Sequence, residues 1–133
     1  MTLAALNELP PTQPPRPRLT LTPHEGPGEL TVRVRGDVDA ANAKDFADAV
    51  LALVDGDRRV TLDLVELGFL AIDGVAALHA VNARLAHADV PWTVLPGEAA
   101  LRVLRLCDPE SVIPVTTRVP VRRGRGGLRL VES

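Results

Sequence analysis

The stretch "ELTVRVRG", residues 29–36, sets Leu30, Val32 and Val34 against Thr31, Arg33 and Arg35. A period of two means a strand with one buried and one open face. Immediately beyond it the period changes. Phe46, Val50, Leu53 and Val54 recur at helical spacing, and "RRVTLDL" then returns to alternation with Val60, Leu62 and Leu64 on one face. A strand followed by a helix and another strand favours a crossover onto a parallel neighbour, because a dozen or more residues are needed to bring the chain back in the same direction.

The remaining segments extend the same scheme. "RLTLTP" and "ELTVRVRG" are expected to form a hairpin around "HEGPG", and the first helix is expected over about 42–54, with Asn42 as its cap, Asp45 in the first turn and Gly56 ending it. "GVAALHAVNARLAHA" supplies a second helix with Val75, Leu78, Val81 and Leu85 as its apolar stripe. "VPWTVL", "GEAALRVLRLCD" and "SVIPV" read as a strand, a third helix carrying Leu101, Leu104 and Cys107, and a last short strand. The expected order is strand, strand, helix, strand, helix, strand, helix, strand. It predicts an α/β fold with a mixed four- to five-stranded sheet, one antiparallel edge, and helices mainly on one face.

At 133 residues the chain has room for one core. Residues 1–17, with five prolines, are expected to be a flexible lead-in, residues 18–115 the domain, and residues 116–133 an arginine-rich flexible tail. Fifteen basic and seventeen acidic residues leave a formal charge of −2, so no overall field favours nucleic acid or an anionic membrane. Arg118, Arg122, Arg123, Arg125 and Arg129 are nevertheless crowded into the end of the chain. The single cysteine, Cys107, excludes an intrachain disulfide, and the absence of an 18-residue apolar run makes a cytoplasmic protein without membrane insertion the expectation.

The chain carries no glycine-rich phosphate loop, no zinc-protease helix motif and no nucleophile elbow. His24, His79 and His87 are scattered without ligand spacing. Neither a metal nor a cofactor is expected. The acids worth following are Asp37, Asp39, Asp63 and Asp73, which lie on strands or where strands give way to helices. Each also has a plain structural reading. Asp37 and Asp39 suit a turn, Asp63 can accept local amide hydrogen bonds, and Asp73, just before Gly74, can cap the second helix.

The order of elements, together with "GDVDAANA", "VTLDLVELGFLAIDGVAAL" and "VPWTVLPGEAALRVLRLCDPESVI", resembles the STAS domain family, and within it the bacterial anti-sigma factor antagonists. In that family a serine at the start of the second helix is phosphorylated by a partner kinase that is itself the anti-sigma factor. The resemblance places Phe69 at the usual aromatic position, Ala71 at the usual aspartate, Ile72 at the first serine, Asp73 at the phosphorylated serine and Gly74 at its glycine. Gly36–Asp39 matches the family's G-E-L-D, Asn42 stands where a threonine commonly starts the first helix, and Asp63 matches the aspartate of L-D-L.

What the resemblance implies is a non-enzymatic protein that binds an anti-sigma factor of the GHKL ATPase type through Asp37, Asp39, Asn42, Asp63, Phe69, Ala71, Ile72, Asp73 and Gly74. Asp73 then imitates the modified serine permanently, with one negative charge where a phosphate has nearly two. The alternative that the resemblance leaves open is an accessory or scaffold subunit of a lipid transporter or a stress-signalling complex.

Overall fold

The computed structural model describes residues 18–116. The proline-rich lead-in at 1–17, and the arginine-rich tail apart from Thr116, lie outside the described residues. Five strands and three helices alternate along the chain: β1 (Thr20–Gly26), β2 (Glu29–Val38), α1 (Ala43–Leu53), β3 (Arg59–Leu64), β4 (Leu67–Leu70), α2 (Ile72–His87), β5 (Trp92–Pro96) and α3 (Glu98–Cys107). The sheet order is β1-β2-β3-β5, with β1 antiparallel to β2 and the other pairings parallel. This is the expected mixed sheet with one antiparallel edge.

The period-two pattern of β2 is what seats the helices. Leu30, Val32 and Val34 are fully buried with Val60, Leu62, Leu64 and Val94, and Phe46, Val50, Val75, Leu78, Val81, Leu85 and Leu104 of the helices pack against them. The face opposite carries Thr31, Arg33, Arg35, Thr61 and Asp63, and Arg33 lies in register with Asp63 at 3.7 Å.

Three expectations need correction. "HEGPG" is not a five-residue turn, since His24, Glu25 and Gly26 continue β1 and only Pro27 and Gly28 turn, with Gly28 supplying a positive φ of 73°. "SVIPV" is not a full strand. It contributes one parallel bridge, Val115 with Val94, and Pro96 in β5 has no N–H with which to extend the ladder. The fifth strand is instead β4, which pairs with the end of β2 through a register shift between Gly36 and Asp37.

The first helix starts within one residue of its expected position, but its cap differs. Asn42 makes no cap hydrogen bond into α1. The reciprocal pair lies three residues earlier: Asn42 N–H donates to Asp39 Oδ1 (3.0 Å), and Asp39 N–H donates to Asn42 Oδ1 (2.9 Å). This is the hydrogen-bond exchange of a capping box, with Asp39 in the cap role and Asn42 reaching back.

Candidate functional site

Apart from Asp63, which lies on β3 opposite Arg33, the residues singled out in the sequence fall at the ends of β2 and β4, where those parallel strands hand over to α1 and α2. Their arrangement begins with Gly36. Its φ is +104°, and a Cβ there would stand 2.4 Å from the Arg18 carbonyl oxygen. Only glycine lets β2 pass this point and deliver Asp37, Val38 and Asp39 beyond it.

The side chains of this loop fall into two groups. Asp37 is only 7% exposed, and its Oδ1 lies 3.0 Å from where a Cβ on Gly68 would be, so the carboxylate lies over the bare backbone of β4. Asp39 accepts from the amides of Ala41 and Asn42 through one oxygen (3.0 Å each), and Asn42 Nδ2 donates to the Asp37 carbonyl (3.0 Å). Asp63 accepts from the Val65 amide (3.0 Å) besides facing Arg33. These acids shape the backbone. A groove of about 510 Å³ runs alongside, lined by Arg18, Thr20, Arg35, Gly36, Asp37, Glu66 and Gly68, with Arg35 and Glu66 joined at 3.0 Å.

Asp73 belongs to the other group. Ala71, extended at φ −79° and ψ 166°, occupies the cap position of α2, its amide donating to the Val38 carbonyl (2.9 Å) and its carbonyl accepting from Gly74 (2.8 Å) and Val75 (3.3 Å). Asp73 is therefore the second residue of the helix, two positions past the cap, and α2 has no side-chain cap. Its side chain is exposed and makes no hydrogen bond or ion pair among the described residues. The carboxylate faces solvent at the positive end of a sixteen-residue helix. Gly74 beneath it is buried, and a Cβ there would press on Leu70 and Val38. Close approach of helix to strand lifts Asp73 outward.

Ile72, next to it in the chain, is 70% exposed, and of the residues leading into α2 Phe69 is 38% exposed and Val65, before β4, 48%. Among the described residues no cluster of His, Cys, Asp or Glu stands together as a metal site, and no helix is long and apolar enough to cross a membrane.

Sequence reasoning missed Asp108. It is 8% exposed and its two carboxylate oxygens accept from the amides of Val112 (3.0 Å) and Ile113 (2.9 Å), fixing the segment that reaches β5. The signal available was an acid directly after a helix and directly before proline.

A family model described as "Mlab, STAS domain" matches residues 22–108. No curated protein matches the chain in sequence. Among solved structures, an anti-sigma factor antagonist from Mycobacterium paratuberculosis is similar at 24% identity, over 75% of this chain and 86% of that one, with a TM-score of 0.66. The anti-sigma factor antagonist SpoIIAA in its unphosphorylated form is similar at 14% identity, over 74% and 89%, with a TM-score of 0.58. A STAS-domain anti-sigma factor antagonist from Rhodobacter sphaeroides is similar at 20% identity, over 62% and 90%, with a TM-score of 0.52.

Proposed function

Since the chain belongs to the STAS domain family, we propose that it is a non-enzymatic antagonist that binds an anti-sigma factor of the GHKL ATPase type and displaces a sigma factor from it. The observation that carries this reading is the exposed Asp73 in the first turn of α2, next to the 70% exposed Ile72. Three similar folds belong to proteins described as anti-sigma factor antagonists.

In this reading Ile72, Asp73 and Phe69 touch the partner. Asp39 and Asn42 hold the neighbouring loop in shape, while Asp37, Asp63, Ala71 and Gly74 set the backbone from which the contact residues project. Asp73 stands where the family presents a phosphorylatable serine. An aspartate has no hydroxyl to modify, so its charge is constant and the antagonist is not switched by a serine kinase at this position.

Calorimetric titration of a candidate anti-sigma ATPase, in the presence of ADP, with the native protein and with Asp73→Ser tests the reading. Micromolar or tighter binding by the native protein makes it a constitutive antagonist. Binding by Asp73→Ser alone makes the native acid an imitation of the released, phosphorylated state. If neither form binds any such ATPase, the antagonist reading fails and the accessory-subunit reading takes its place.

A further inference from the structure

We propose that a second copy of this chain docks on the outer face of α3, antiparallel to it, with Glu98 of each copy paired to Arg105 of the other. The first support is the helix itself. Ala100 and Leu104 are buried, and Val103 and Cys107 pack partly against the core, so these four positions form its inner side. Glu98, Leu101, Arg102, Arg105 and Leu106 recur at i, i+3, i+4, i+7 and i+8, which puts them on one opposite face, and the same five line a single surface depression. Leu106 is 78% exposed, more than any other large apolar side chain among the described residues.

The second support is the order of charge along that face. α3 carries Glu98 in its first turn and Arg105 in its last, two turns apart on the same side. Turned end for end, the same helix presents arginine where the first has glutamate. A two-fold axis crossing α3 between Leu101 and Arg102 therefore makes two Glu98–Arg105 pairs at once, whereas a parallel copy would set like charge against like. Arg105 has no ion pair among the described residues, while Arg102 lies 3.7 Å from Glu98 of its own chain. Each end of the contact thus becomes an Arg102–Glu98–Arg105 row of alternating sign.

Shape agrees with charge. In that register Leu101 meets its own counterpart across the axis, and Leu106 of each copy falls beside Gly97 and Ala99 of the other, both too small to obstruct it. The two helix dipoles oppose one another, which also favours the antiparallel arrangement. A ten-residue helix offers a contact only about 15 Å long, below what a stable dimer buries, so the association is weak and depends on concentration. The contact uses none of the residues on which the antagonist reading rests.

The test is sedimentation equilibrium on the full chain from about 20 μM to about 1 mM protein, at about 150 mM salt. The expected result is an average mass that rises with concentration from the monomer's toward twice that value. Glu98→Arg alone and Arg105→Glu alone should each weaken the association about tenfold or more, because both pairs between the copies become repulsive. An equimolar mixture of the two variants should recover it, since every such pair then joins an arginine to a glutamate. Leu106→Ser should weaken it as well. All three positions are exposed, and unfolding midpoints close to native establish that the variants stay folded. A chain that stays monomeric up to about 1 mM overturns the proposal. So does association untouched by the single changes, or a mixture that associates no better than its components. The readout needs no ATPase, so its failure is distinct from failure of the antagonist reading.

Discussion

Asp39 and Asn42 form one device, and a double-mutant cycle can measure it. Asp39→Ala removes the acceptor for the Ala41 and Asn42 amides, and Asn42→Ala removes the acceptor for the Asp39 amide together with the donor to the Asp37 carbonyl. Loss of a side-chain cap costs about 0.5–2 kcal/mol, typically about 1. Each single variant should therefore lose about 1 kcal/mol. Once one half is gone the turn no longer holds the other half in bonding geometry, so the double variant should lose less than the sum, with a coupling of about 0.5–1 kcal/mol. Urea unfolding reads this directly: for an m-value of about 1–2 kcal/mol/M, each single change lowers the midpoint by about 0.5–1 M with m unaltered. Asp39→Asn keeps an acceptor oxygen and is as good a cap, so it should stay within about 0.5 kcal/mol of native while removing the charge. Losses that add to within about 0.3 kcal/mol would refute the reciprocal device and leave two independent turn residues.

Gly36→Ala should destabilise by at least about 2 kcal/mol, because the Cβ meets the Arg18 carbonyl at 2.4 Å on a backbone already at φ +104°; a variant with native unfolding midpoint would refute this. Asp108→Ala should cost about 2–3 kcal/mol by stripping two amides of a charged acceptor, and hydrogen exchange at Val112 and Ile113 should rise with it; protection unchanged at both would count against the assignment. The Arg58 guanidinium hydrogen-bonded to Asp55, helped by the Asp57 amide, holds the Asp55 carboxyl below its ordinary value of 3.8. The pair therefore contributes stability above that pH and loses it as pH falls through the lower folded value, and Arg58→Gln should move the Asp55 titration, followed by carboxyl NMR shifts, back toward 3.8.

Most of the fold was legible because its signals are periodic. The buried faces of β2, β3 and α2 are those that alternation and helical spacing select. β4 escaped because Leu67–Leu70 has no alternation of its own: its ends are buried, Gly68 and Phe69 between them are exposed, and only pairing with a bulged β2 makes it a strand. The cap of α1 was displaced by a turn because Asn42 and Asp45 imitate the spacing that Asp39 and Asn42 actually use. Nothing local distinguishes the two registers; the distinction comes from Asp37 and Gly36, which fix where β2 lets go of the chain. Asp73 was misplaced by two residues for a similar reason, since Ala71 becomes the cap through the Val38 carbonyl, a partner from a different strand.

The same geometry limits how this surface can be regulated. The Asp39 carboxylate is committed to two amides, Asp37 is buried and Gly74 is held by packing, so none of them can gain or lose a contact without altering the loop itself. The side chains free to respond are Ile72 and Asp73, and neither carries a group that a serine kinase modifies. On the antagonist reading, control must then come from what occupies the surface: competition shifts an equilibrium only by the difference between two affinities. A partner adapted to a permanent acid at 73 therefore needs its own cation there together with an apolar pocket for Ile72, which is 70% exposed beside it.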